Sequence, residues 1–207
     1  ISQSGKEVTL AVAKSMVLGT SSISVLCKSC ASDLMVIDMG IDSFDTDIYS
    51  MGVINHKLMH GTNNFVKEKA MPIDISLRAI LYGIEIVENL KNKGINIIGT
   101  GEMGIGNTTT SSALSSALLN LPVTNVTGRG AGLNDMKLKR KIDIIEVGIN
   151  KYGFIDKTFI DYINSESVDI RVLATIDLLS SIGGLDIAAL TGIFVGGAIY
   201  KIPVVID

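Results

Sequence analysis

Tryptophan is absent from the 207 residues, and phenylalanine and tyrosine number five each. A chain this poor in flat side chains offers few platforms on which bases could stack. Excess positive charge is also lacking: 18 Lys and Arg stand against 21 Asp and Glu, a net charge of −3. Without a basic stripe there is no electrostatic footprint for a phosphate backbone, and no nucleic-acid partner is expected. Cysteine and histidine occur twice each. Cys27 and Cys30 form one Cys-x-x-Cys pair, whereas His56 and His60 lie in another segment, so the spacing of a structural zinc site is not met. The pair reads as two reduced thiols on a helix, which fits a reducing cytoplasm.

The polar opening Ile1-Ser2-Gln3-Ser4-Gly5-Lys6-Glu7 has no signal-peptide pattern. The most membrane-like run, Ile187 to Tyr200, is bracketed by Asp186 and Lys201 and falls short of the ~20 apolar residues of a span. It reads as a buried core helix, and no membrane partner is expected. The chain opens without Met and stops at Asp207 in an apparent strand, so part of a longer protein is expected.

What is present is a globular composition, 47% apolar and 19% charged, with length for one substantial core, read as a single domain over residues 1–207. Val8, Ala11, Val12, Met16 and Val17 predict an opening helix with Ser4 as its cap; Gly19 either interrupts it or separates two helices. Leu34 to Gly40 reads as a buried parallel strand. Residues 41–72 carry no period and read as a long functional loop. Ile73, Leu77, Ile80, Leu81, Ile84 and Val87 predict a helix closed by Gly94. A strand at 95–100, a loop at 101–107 and a helix at 108–119 follow. Val123–Val126 reads as a short strand, and Gly128 to Asp135 as a second glycine loop. Beyond it lies a basic helix with Lys137, Lys139, Arg140 and Lys141, and with Ile142, Ile145 and Ile149 inward. Helices at 154–163, 168–181 and 187–200 precede a last strand at 203–206. Short apolar strands alternating with helices give an α/β layered fold with a mainly parallel sheet.

The chemistry concentrates where the central strand meets its helix, at Gly99-Thr100-Gly101-Glu102-Met103-Gly104-Ile105-Gly106-Asn107-Thr108-Thr109-Thr110. Such a junction presents free N–H groups and a positive dipole end. Gly99 to Gly104 matches the dinucleotide pattern G-x-G-x-x-G, but no acid follows at ~20 residues to hold a ribose, and Glu102 puts negative charge in the cradle. Gly101 to Thr108 has the frame of a P-loop, with Asn107 where the lysine must stand, which argues against ATP hydrolysis. A carboxylate in this loop suits a cationic or hydrogen-donating centre, with neighbouring N–H groups holding an anion further out. Lys141 or Arg129 could then neutralise a phosphate; the alternative is that this basic helix is a solvated face.

These motifs resemble the nicotinate-nucleotide–dimethylbenzimidazole phosphoribosyltransferase family. The resemblance rests on Gly101 to Thr109, Gly128-Arg129-Gly130-Ala131-Gly132 and Gly183-Gly184-Leu185-Asp186-Ile187-Ala188. It extends to His60-Gly61-Thr62-Asn63-Asn64 with Ala70-Met71, and to Val36 to Gly40. It implies a cobalamin lower-ligand enzyme. That enzyme moves the 5-phosphoribosyl group from nicotinate mononucleotide to 5,6-dimethylbenzimidazole, giving α-ribazole 5′-phosphate and nicotinate with inversion. It further implies a cytoplasmic homodimer working without metal or cofactor. The implied fold is a three-layer Rossmann-like domain plus a small helical domain built from both chain ends. By the same resemblance Glu102 stabilises the oxocarbenium-like sugar. Gly101, Met103, Gly104, Gly106, Asn107, Thr108, Thr109 and Gly130 line the substrate, and Lys141 neutralises the phosphate. The family's general base is a C-terminal glutamate, expected to lie beyond Asp207, so the 207 residues alone are expected to be slow or inactive. Departures are Ala11, where the family often has a first-helix glutamine, and a longer Val172 to Leu179 approach to Gly183. The alternatives are a shortened nucleotide-binding homologue without activity and a dinucleotide-binding oxidoreductase.

Overall fold

The computed structural model describes residues 2–206, which group into two compact units. One comprises residues 4–61 with 103–105; the other comprises residues 2–3, 62–102 and 106–206.

The smaller unit opens with α1 (Glu7–Val17) and α2 (Ser22–Ser29). Gly19 separates them with φ +76°, a conformation that costs glycine least. Ser4 is not the cap: Lys6 holds that position and no side chain caps α1, whereas Ser21 accepts from the Ser24 N–H at the start of α2. The stretch Glu7–Ser29 has the length and apolarity of a membrane span and is only 11% buried. It is more span-like than the run at 187–200, yet here it folds as helices of 11 and 8 residues. Next come β1 (Ile37–Asp38), α3 (Asp47–Ser50) and β2 (Ile54–Asn55). The expected loop at 41–72 therefore hides a second strand, paired parallel to β1 with Ile37 opposite Ile54. Two residues are too few to show a period. Ala13, Ile41, Ile48 and Val53 form this unit's core, with Leu10, Val17, Val36 and Tyr49 packed against it.

The larger unit is built on α4 (Ile73–Asn92), which ends at Gly94 with φ +81°. The central strand shrinks to β3 (Ile98–Gly99) and leads to α5 (Asn107–Leu119). Val123–Val126 is a helical turn, α6, and not a strand: Pro122 starts it, the Asn125 N–H returns to the Pro122 carbonyl, and no strand partners it. Then follow α7 (Asp135–Lys151), α8 (Lys157–Ile163), α9 (Val168–Ile182), α10 (Leu185–Tyr200) and β4 (Val204–Val205). β4 pairs parallel with β3, Ile98 opposite Val204. Among the described residues the sheet is thus two separate parallel pairs, so the α/β class holds while helices dominate.

α4 and α10 pack backbone to backbone. A Cβ on Gly192 would lie 1.9 Å from the Ile80 carbonyl oxygen, and one on Gly83 would lie 2.2 Å from that of Ala189. Only glycine allows this approach, which explains Gly192 and Gly196 in this apolar helix; Gly197 instead makes room for Val204 of β4, whose Cγ2 a Cβ there would meet at 2.5 Å. Val87, Ile98 and Ile202 close a core under β3 and so fix the strand that delivers the glycine loop.

Candidate functional site

The site in the larger unit begins where β3 ends. Gly101 and Glu102 follow, and Gly106, at φ +88°, turns the chain into α5. The N-cap of this 13-residue helix is Gly106, which has no side chain to bond the first N–H groups, and such a helix start favours an anion. Met103, Gly104 and Ile105 group with the smaller unit, so the geometry below concerns the larger unit alone. Glu102 is exposed, and its Oε2 accepts a hydrogen bond from Asn107 Nδ2. The amide at the P-loop lysine's position thus orients the loop's own carboxylate.

Thr108 presents its hydroxyl to Lys141, whose Nζ lies 2.8 Å from Thr108 Oγ1 and 3.1 Å from the Gly128 carbonyl oxygen. Lys141 is 1% exposed, whereas Lys137, Lys139 and Arg140 are exposed. The cause is phase: Lys141, Ile145, Gly148 and Ile149 form the buried stripe of α7. Burial holds the ammonium below its ordinary pKa of 10.5. Both of its acceptors are neutral, so its charge is uncompensated by any carboxylate in that contact. Arg129, the other candidate cation, is exposed and engaged with Asp135 at 2.5 Å and with the Leu133 carbonyl at 2.9 Å. Gly130 has φ +53°, and a Cβ there would stand 3.0 Å from Thr108 Oγ1 and 3.9 Å from Lys141 Nζ. The second glycine loop therefore passes directly over the lysine.

Asp186, inside the motif at 183–188, is a further residue of the site. It lies in the first turn of α10, beside Gly184, where a Cβ would meet Asp186 Oδ1 at 2.2 Å and Thr110 Oγ1 at 3.3 Å. The α10 N-terminus therefore approaches α5 near Thr110. Burial raises the pKa of Asp186 above the ordinary 3.8, against backbone N–H bonds from Ile187 and from Asp186 itself. Asp186 Oδ2 and Thr109 Oγ1 are buried without a hydrogen-bond partner among the described residues. Orphaned buried oxygens of this kind await a ligand or water. The sequence signal was an acid two residues after a Gly-Gly helix start. Among the described residues no group of three or more His, Cys, Asp or Glu gathers as a metal site.

The fold and site define an α/β protein in which one helix N-terminus anchors both an oriented carboxylate and a buried cation. A family model described as phosphoribosyltransferase (DBI_PRT) matches residues 1–207. The chain is 42% identical, over its whole length, to proteins from Clostridium acetobutylicum and Ruminiclostridium cellulolyticum. Both are named nicotinate-nucleotide–dimethylbenzimidazole phosphoribosyltransferase, and the match covers 53% of each. CobT from Thermus thermophilus superposes with TM-score 0.84 at 26% identity, over all of this chain and 56% of that one. The chain spans about half the length of the curated relatives it matches. It belongs to the nicotinate-nucleotide–dimethylbenzimidazole phosphoribosyltransferase family.

Proposed function

We propose that the full-length protein transfers the 5-phosphoribosyl group of nicotinate mononucleotide to 5,6-dimethylbenzimidazole. The observation that carries this reading is that consecutive residues of one helix start anchor the two charges the reaction needs. Asn107 holds Glu102, and Thr108 holds Lys141. Lys141, with the uncapped N-terminus of α5, binds the 5-phosphate. An azole nitrogen forms a bond to the anomeric carbon while the bond to the pyridinium nitrogen breaks. Its electron pair returns to the pyridine ring, and nicotinate leaves. The azole N–H proton passes to a general base. As the old bond breaks, the sugar gains positive charge, and Glu102 stabilises it. Gly101, Gly106 and Gly130 approach the nucleotide through backbone, and Thr109 and Asp186 offer their unpartnered oxygens to ribose hydroxyls. We place this chemistry on a three-layer Rossmann-like domain, in a cytoplasmic homodimer. The names of the relatives support the substrates, and the buried lysine beside an uncapped helix supports the phosphate.

Incubating full-length protein with both substrates tests this directly. α-Ribazole 5′-phosphate and nicotinate should appear in equal amounts; no product with both substrates at saturation would refute the reading.

A further inference from the structure

The smaller unit holds a second polar centre, which the glycine loop chemistry does not use. Asp38 ends β1 and is fully buried. Its Oδ1 accepts from the Ile41 N–H at 2.7 Å; its Oδ2 accepts from Tyr49 Oη at 2.9 Å and pairs with Lys57 Nζ at 3.3 Å. Lys57 Nζ also donates to the Ser43 carbonyl at 2.9 Å, which leaves its ammonium N–H capacity for a bound acceptor. Tyr49 and Lys57 of this centre also line an open cavity of about 340 Å³, together with Ser43, Phe44, Asn55 and His60 among others.

Three features of this cavity point to a ligand. Its lining residues follow the last residues of β1 and β2, so it opens at the carboxyl ends of two parallel strands, where open α/β sheets bind small molecules. Its volume lies in the range of small-molecule sites. One wall is a ring pair, Phe44 against His60, centroids 4.5 Å apart and tilted 34°, with Phe44 87% exposed. A phenylalanine so exposed gains little from its one neighbour and offers its face to a third ring. Opposite charges on Asp38 and Lys57 offset each other, and Asp38 already accepts from the Ile41 N–H and Tyr49 Oη, so the polar end of the cavity presents Lys57 as a donor. We propose that this cavity binds a flat aromatic ring carrying an acyl oxygen, a carboxylate or carboxamide. The ring stacks on Phe44 and His60, and the oxygen accepts from Lys57. This site does not depend on the reading of the glycine loop.

Calorimetry on the full-length protein with 2-naphthoate, 2-naphthamide and the saturated decahydro-2-naphthoate tests it, with NMR of the His60 ring and the Met59 methyl group. Both flat probes should saturate and shift His60 and Met59. The saturated analogue should bind about tenfold more weakly, and Phe44→Ala should weaken the flat probes by about tenfold. Tighter binding of the naphthoate marks a carboxylate as the preferred ligand, and equal binding marks a carbonyl; both support the site. No saturation at millimolar probe, equal binding of flat and saturated probes, indifference to Phe44→Ala, or shifts at Met103 in place of His60 would each overturn it.

Discussion

Lys141 Nζ lies 2.8 Å from Thr108 Oγ1, and Thr108 follows the residue whose amide holds Glu102. A cation and an anion are thereby fixed to one helix turn. The lysine is buried and loses solvation; the carboxylate stays exposed and solvated. On the proposed reaction the former meets a phosphate that is charged throughout, and the latter a sugar that is charged only as the bond breaks.

Lys141→Met keeps the length of the side chain and removes its charge. The KM for nicotinate mononucleotide should rise about 10- to 100-fold, the size of a lost charge-assisted bond. Because burial lowers the pKa of Lys141 below 10.5, the folded state releases its proton before the unfolded state does. In that alkaline window the unfolded chain binds more protons, so stability rises with pH. Nucleotide affinity falls over the same window as the ammonium is lost. Both slopes should vanish in the variant, as read by thermal melts and by KM against pH.

Asp186 runs the opposite way. Its pKa is raised, so the folded state binds the extra proton and stability falls as pH climbs from 3.8 through the folded value. Asp186→Asn removes a buried charge with an unpartnered oxygen. Its melting temperature at neutral pH should rise by a few degrees, while turnover falls if that oxygen serves the ribose. Scanning calorimetry and steady-state kinetics on one preparation check both halves.

Gly192→Ala drives a methyl group into the Ile80 carbonyl, 1.9 Å away. Neither backbone can yield without parting α4 from α10, so the loss should reach about 3 kcal/mol or prevent folding. Chemical denaturation measures it. Val195→Ala, on an exposed position of the same helix, should cost well under that.

Tyr49 donates to buried Asp38, and burial, with that bond and that charge, pushes its pKa up to about 12. Tyr49→Phe leaves a buried carboxylate one donor short and should cost about 1–3 kcal/mol. In a spectrophotometric titration of the wild type, one tyrosine should ionise about two units above the ordinary value of 10.0, and Tyr49→Phe should lose that late step.

The helices were legible because they are long and periodic: α4, α5, α9 and α10 lie within a few residues of where their apolar spacing puts them. Three of the four described strands were legible too: β1, β3 and β4 are the two-residue centres of the apolar runs at 34–40, 95–100 and 203–206. β2 was not, because it is two residues long in a stretch of mixed polarity, where neither alternation nor a continuous apolar run could reveal it. Pro122 made Val123–Val126 a helical turn despite its β-branched composition. At the site, the glycine loop and helix start were visible in the order of residue types. The burial of Lys141 was encoded as well, in its four-residue spacing from Ile145, but only the helix phase separates it from the three exposed basic residues beside it. The bond from Asn107 to Glu102 depends on the turn at Gly106, and no pattern of residue types shows a side-chain contact of that kind.

The most direct test of the account is Glu102→Gln, assayed for turnover and for nicotinate mononucleotide affinity in the full-length protein. A carboxylate that acts on a charge present only in the transition state should give kcat lower by about 10²–10³-fold, with Kd for the nucleotide within a few fold of wild type. A Kd that rises by the same factor while kcat holds, or a fall in stability with unchanged kcat, would contradict it.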